Sequence, residues 1–170
     1  MSVVFTVGYE GTDIDRFVAT LKTAGISRLA DVRAVPISRK KGFSKSKLCE
    51  RLIAVGIEYR HFSHLGDPKP GREAARAGAF DEFRRIYSAH LASNDAQAQL
   101  SDLATFVAEE PTVLLCFERA PAECHRSMVA DSLNKSIGFE VFNLYADDPQ
   151  RYVRNSEKLP QFLPHQVAAE

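Results

Sequence analysis

The chain has 170 residues and predicts an α/β fold: a single domain with an open, mostly parallel five-stranded sheet and helices on both faces. Three observations predict it. Short apolar runs rich in β-branched residues alternate with longer stretches of helical periodicity. The run at 112–115 is apolar without alternation, as a strand buried on both faces is. Each run is separated from the next by enough chain for the crossover that parallel pairing requires. Zero net charge, 45% hydrophobic and 26% charged residues suit a globular domain with a real core, and no global field draws the chain to nucleic acid or membrane.

Val3–Val7 is the first expected strand, ending in a loop of Gly8, Tyr9, Glu10 and Gly11. Thr12 is the expected N-cap of a helix with Ile14, Phe17, Val18 and Leu21 on one face, stopped by Gly25. Arg28–Val32 is the second strand and leaves Asp31 and Arg33 at its carboxyl end. Arg33, Arg39, Lys40, Lys41, Lys45 and Lys47 follow with no acid between them, broken by Pro36 and Gly42, and predict a basic loop. Ser44 can cap a helix burying Leu48, Cys49, Leu52 and Ile53, with Gly56 as its stop. Ile57–Phe62 alternates as a third strand bearing Tyr59 and His61, with His64 just beyond. The connection through Gly66, Pro68, Pro70 and Gly71 has no core periodicity and predicts a lid or surface loop.

Two helices are expected next, one carrying Phe83, Ile86, Tyr87 and Leu91, the other, capped by Ser93, carrying Leu100, Leu103, Phe106 and Val107. Thr112–Leu115 is the fourth strand, closed by Cys116. A polar loop, Phe117–Ala122, leads to a helix that opens at Cys124, His125 and Arg126 and continues through Met128, Val129 and Leu133. Gly138 and Phe139–Leu144 give the fifth strand. The expected domain is 1–146, with a polar tail, 147–170, packed on it or extending from it.

If the strands are parallel, Tyr9, Glu10, Asp31, Arg33, His61 and Cys116 share the carboxyl edge of the sheet, where α/β proteins bind ligands. Cys116, Cys124 and His125 are the catalytic candidates. A helix start beside His125 and Arg126 is expected to lower the Cys124 thiol pKa, and His125 suits general acid–base work. Tyr9, Glu10, Asp31, Arg33, Glu118, Arg119 and Arg126 are the ligand-binding candidates, because guanidinium groups grip phosphate or carboxylate bidentately. The plainer alternatives are an inert core thiol at Cys116 and a buried ion pair joining an arginine to Glu118, Glu10 or Asp31.

No metal is expected. Cys116, Cys124 and His125 with His61 or Glu10 have suitable donor atoms, but no C-x2-C or H-x3-H pair sets a geometry, and adjacent helical residues point about 100° apart. Cys124 and His125 can share an ion only if that segment is a loop. The 33–47 stretch could track a nucleic-acid backbone with Phe43 stacking on a base, or simply be a solvated face beside a pocket. The first residues lack a signal-peptide pattern, and three cysteines without paired spacing argue against a secreted disulfide framework. A cytoplasmic protein without membrane contact is expected.

The phrases TVGYEG, LADVRAVPISRKKGFSK, IEYRHF with HLG, and VLLCFERAPAECHRSMVADSL resemble the uncharacterised family catalogued as domain of unknown function 488, in the same order from about Phe5 to Leu144. The resemblance implies an α/β fold and a shared site at Gly8, Tyr9, Glu10, Gly11, Asp31, Arg33, Pro36, Ser38, Cys116, Glu118, Arg119, Cys124, His125 and Arg126. It implies no activity, substrate or cofactor. A fainter likeness is to rhodanese-like sulfurtransferases, in the DVR phrase at Asp31–Arg33, a strand ending in Cys116, and the Arg126–Ser127 helix start. The FERAPAECH loop departs from that pattern, since it is longer, has no glycine and contains a proline. The expected function is binding of an anionic small molecule or nucleotide at a Cys/His/Arg pocket, with possible thiol- or histidine-dependent transferase or hydrolase chemistry. The alternatives are a rhodanese-like sulfur-transfer enzyme and a nucleic-acid-binding module.

Overall fold

Strands β1 (Val3–Gly8), β2 (Arg28–Asp31), β3 (Glu58–His61), β4 (Thr112–Cys116) and β5 (Glu140–Tyr145) form one sheet in the order β3-β2-β4-β1-β5. Every neighbouring pair is parallel. The computed structural model describes residues 2–164. Its helices are α1 (Ile14–Thr23), α2 (Lys45–Ile53), α3 (Lys69–Arg76), α4 (Phe80–Leu91), α5 (Asn94–Glu109), α6 (His125–Ile137) and the short α7 (Arg151–Arg154). None is long and apolar enough to cross a membrane among the described residues.

The sheet is covered on both faces, which explains the unbroken apolar run of β4. Side chains alternate across a strand, so Val113 and Leu115 join Phe17, Leu21, Leu48 and Leu52 from α1 and α2. Leu114 joins Tyr87, Leu103, Val107, Val129 and Leu133 from α4, α5 and α6 on the opposite face. All five β4 residues are buried.

Local details differ from expectation where a neighbour competes for a side chain. Asp13, not Thr12, caps α1 by accepting the Arg16 N–H at 2.9 Å. Thr12 instead donates its hydroxyl to the Ala146 carbonyl at 2.7 Å. Ser44 occupies the cap position of α2, but its hydroxyl bonds the backbone of Ser38 rather than the helix. The buried stripe of α2 is narrow: Leu48 and Leu52 are sealed, Cys49 is half-buried and Ile53 is exposed.

The expected lid at 66–71 is in part a helix, α3, with proline in its first turn, where the missing N–H costs nothing. Its periodicity was masked because the buried side is made of small residues, with Ala74 and Ala75 packing on the second core. The tail packs on the domain as far as it is described: Tyr152 is buried, and Leu159 and Phe162 lie against the first core. Residues 165–170 lie outside the described part.

The crevice follows from the strand order. From β1 the chain moves past β4 to β2, and from β4 it moves past β1 to β5. Connections leaving two adjacent strands in opposite directions open a gap between their carboxyl ends, the usual ligand position in such sheets. The loop after β4 crosses close over β1 there, and Gly8 permits it. A Cβ at Gly8 would lie 1.8 Å from the Glu118 carbonyl oxygen. Gly8→Ala should therefore lower stability by about 1–3 kcal/mol, the usual cost of overpacking, or more because the obstacle is backbone. Urea unfolding measures it; an unchanged midpoint would show that the loop is free to lift.

Candidate functional site

One wall of the crevice is a buried ion pair. Asp31, fully buried at the end of β2, accepts the Arg33 Nε and Nη2 hydrogens at 2.9 and 2.8 Å, the Arg33 backbone N–H, and the Tyr59 hydroxyl at 2.6 Å. Arg33 Nη1 donates to the Phe43 carbonyl at 2.7 Å and to the Tyr9 hydroxyl at 3.3 Å. Burial opposes charge on Arg33, but the Asp31 carboxylate outweighs it and raises the arginine pKa further. Burial and the same carboxylate push the Tyr59 phenol up. The Tyr9 ring stacks on Phe43 at 4.5 Å. Phe43 is thus sealed in the core and is not available to stack on a base, a correction to the expectation for the 33–47 stretch. That stretch also turns Lys40 inward, to the Tyr9 carbonyl.

The floor is made by the β4 end and the α6 start. Cys116 is the last residue of β4, while Cys124 stands before the first residue of α6 with extended backbone (φ −131°, ψ 142°) and accepts the Arg126 N–H on its sulfur. His125 is the first helical residue. Its Nε2 lies 2.6 Å from the Val32 carbonyl; a carbonyl only accepts, so this nitrogen carries a proton. Nδ1 then faces both sulfurs, 3.6 Å from Cys116 Sγ and 3.7 Å from Cys124 Sγ. The Tyr87 ring packs edge-on against the imidazole at 5.2 Å. Cys116 also donates to the Glu118 carboxylate at 3.2 Å.

The expected low pKa of Cys124 is not found. Its residue is 3% exposed, and burial, aided by Cys116, pushes the thiol well above its ordinary range. One helix terminus does not offset removal of a thiolate from water. Burial opposes charge on His125 as well, but the Cys124 sulfur, the Val32 carbonyl and the Asp67 carboxylate outweigh it and raise the imidazole to about 9.

A cavity of about 700 Å³ brings together Tyr9, Arg33, Cys116, Glu118, Cys124 and His125. The other expected residues lie around it. Asp31 is behind Arg33. Glu10 accepts the Arg119 N–H at 3.3 Å, and Arg119 pairs with Asp147 at 3.0 Å over the Tyr145 ring. Arg126 is fully buried, and its guanidinium donates to the Glu118 and Arg119 carbonyls, so it holds the loop rather than facing the cavity. His61 bonds the Arg33 carbonyl at 2.7 Å.

Sequence reasoning missed the opposite wall, where Asp67, Arg72, Arg76, Phe80 and Phe83 join Val35, Ile37, Arg39, Phe117 and Glu123. The signal was the polar GDPKPGR segment, a proline-started helix read as a loop. Asp67 is held by its surroundings: Arg72 Nη1 donates to its backbone carbonyl at 2.6 Å, its own Oδ1 has no hydrogen-bond partner among the described residues, and a Cβ at Gly71 would lie 2.0 Å from that oxygen.

The parallel sheet, the crevice where its connections diverge and the buried thiol–imidazole cluster in that crevice define an α/β protein with a cavity at the carboxyl edge of the sheet. The chain belongs to the family described as Domain of unknown function DUF488, whose model matches residues 13–133. The match spans α1 to the larger part of α6 and includes Asp31, Arg33, Asp67 and the 116–126 segment; Tyr9 and Glu10 precede it. No curated protein and no solved structure matches the chain significantly.

Burial raises the Asp67 carboxyl to about 6, against the partial relief from His125 and Arg72. A folded pKa above the unfolded value means stability that is present below about pH 4 and lost as pH rises through about 6. Asp67→Asn should remove this slope, so that between pH 4 and 8 the variant gains on wild type by roughly 1–3 kcal/mol. Urea unfolding across that range tests it; parallel profiles would show that Asp67 is not desolvated.

Proposed function

We propose that the protein binds a small molecule carrying a phosphate, carboxylate or similar anionic group in the cavity at the carboxyl edge of the sheet, with Cys116, Cys124 and His125 as its reactive floor. The observation that carries this reading is the composition of that one cavity. Apolar and aromatic walls from Val35, Ile37, Phe80, Phe83 and Phe117 meet a cationic rim of Arg39, Arg72 and Arg76. Its volume is that of a cofactor- or metabolite-sized pocket. Arg39 and Arg76 are exposed and make no ion pair among the described residues, so their charge is available to an incoming anion. Arg33 is committed to Asp31 and supports the site by fixing its wall. Arg126 and Gly8 hold the loop that presents Glu118.

Chemistry at the floor, in this reading, uses an imidazole whose Nδ1 sits between two sulfurs. Proton transfer or thiol-dependent transfer to the bound molecule are the reaction types within reach. Three free cysteines, two of them adjacent across the cavity floor, suit a reducing compartment.

Thermal melts with inorganic phosphate, AMP, ADP and ATP test the binding. At a hundredfold excess over Kd the bound state gains about 2.7 kcal/mol, which raises Tm. Arg76→Gln, an exposed change, should leave the free protein as stable as wild type and reduce the shift. No shift with any anion, or an undiminished shift in both Arg76→Gln and Arg39→Gln, would remove the proposal.

A further inference from the structure

We infer that Cys116, Cys124 and His125 form a three-ligand site for a zinc-type divalent cation, with a fourth coordination position open to the cavity. The two sulfurs and Nδ1 all lie within 4.8 Å of one another, on buried side chains. Tetrahedral zinc with Zn–S of about 2.3 Å and Zn–N of about 2.0 Å places neighbouring sulfur and nitrogen ligands about 3.5 Å apart. The two sulfur–nitrogen distances here, 3.6 and 3.7 Å, match, and the two sulfurs, within 4.8 Å of one another, reach the about 3.8 Å of a tetrahedral pair by a small side-chain rotation. The objection that consecutive residues point apart on a helix does not apply, since Cys124 precedes α6 in extended backbone.

A second, independent observation is the orientation of the imidazole. The Nε2 hydrogen bond to the Val32 carbonyl is the outer-shell contact that metal-bound histidines use to fix the tautomer and the ring plane. It leaves Nδ1 as the donor atom, turned to the two sulfurs. Binding displaces the two thiol protons, and any proton on Nδ1, to solvent; the dication and two thiolates then sum to zero charge, which suits a buried centre. All three residues line the cavity together with Glu118, so the fourth position falls to water or to a donor atom from the pocket's occupant. Sites with three protein ligands and one open position are the catalytic rather than the structural kind. The inference does not depend on the nature of the anion, and it replaces free thiol or imidazole chemistry at the floor by chemistry at the bound cation, so the anion pocket and the metal site can each fail alone.

The test is titration of reduced, chelator-treated protein with cobalt(II), followed by zinc. One equivalent of cobalt should produce the visible bands of a tetrahedral ion together with a thiolate charge-transfer band, and zinc should abolish them. Zinc should also raise Tm, and a chelator should reverse the rise. Cys116→Ser and Cys124→Ser should each lose the charge-transfer intensity and the Tm shift, whereas Cys49→Ser should retain both. If the two serine variants fail to fold, wild type and Cys49→Ser decide: a one-to-one thiolate spectrum present in both supports the site. No cobalt bands in folded, reduced wild type would overturn it, as would bands that vanish in Cys49→Ser or survive in both folded serine variants. Rapid loss of the two thiols to a disulfide that no metal prevents would overturn it too.

Discussion

Arg126 carries a guanidinium that is sealed from water, and two successive carbonyls, those of Glu118 and Arg119, are its partners. The loop between β4 and α6 depends on this contact. A charge this deep costs several kcal/mol unless fixed dipoles meet it, and a planar fork meets two carbonyls with donors already fixed in their spacing, which a freely rotating ammonium group does not provide. The contact draws the loop back over the sheet, and Gly8 gives it room to lie against β1. Cys124 is thereby returned toward Cys116, and the β4–α6 connection closes on itself instead of spreading into solvent.

Charge in the crevice is divided between groups already neutralised within the fold and groups that make no ion pair among the described residues. Asp31 and Arg33 cancel one another behind the Tyr9–Phe43 stack, and Arg119 is engaged by Asp147. What remains toward the opening is two cations, Arg39 and Arg76, and one acid, Glu123, while Asp67 sits deeper with its carboxyl proton held unusually tightly. The residues that look most suited to gripping an anion in the sequence, Arg119 and Arg126, are the ones that an internal acid and the backbone have taken.

Much of this was legible in the chain. The strand at 112–116 shows its two-sided burial as an unbroken apolar run, and parallel pairing alone brings Tyr9, Arg33 and Cys116 to one edge. The segment around α3 was not legible, because alanines replace the apolar stripe that announces a helix and Pro68, Pro70 and Gly71 resemble loop punctuation. The state of Cys124 was not legible either. Sequence places it at a helix start beside two cations, but burial in the folded domain and the neighbouring Cys116 raise its pKa, and neither is written in the local sequence. The partners of Arg126 are backbone carbonyls, and no side-chain pattern records those.

Cys116 and His125 are only nine positions apart, whereas Tyr9, Arg33 and Asp67 reach the same cavity from distant parts of the chain. Closing so short a segment costs little conformational entropy compared with assembling the sheet around it. The floor of the cavity is accordingly a local structure and its walls are a global one. The imidazole is nonetheless aimed from outside that segment, by the Val32 carbonyl and the Tyr87 ring, so the floor takes its final geometry only when the walls are in place.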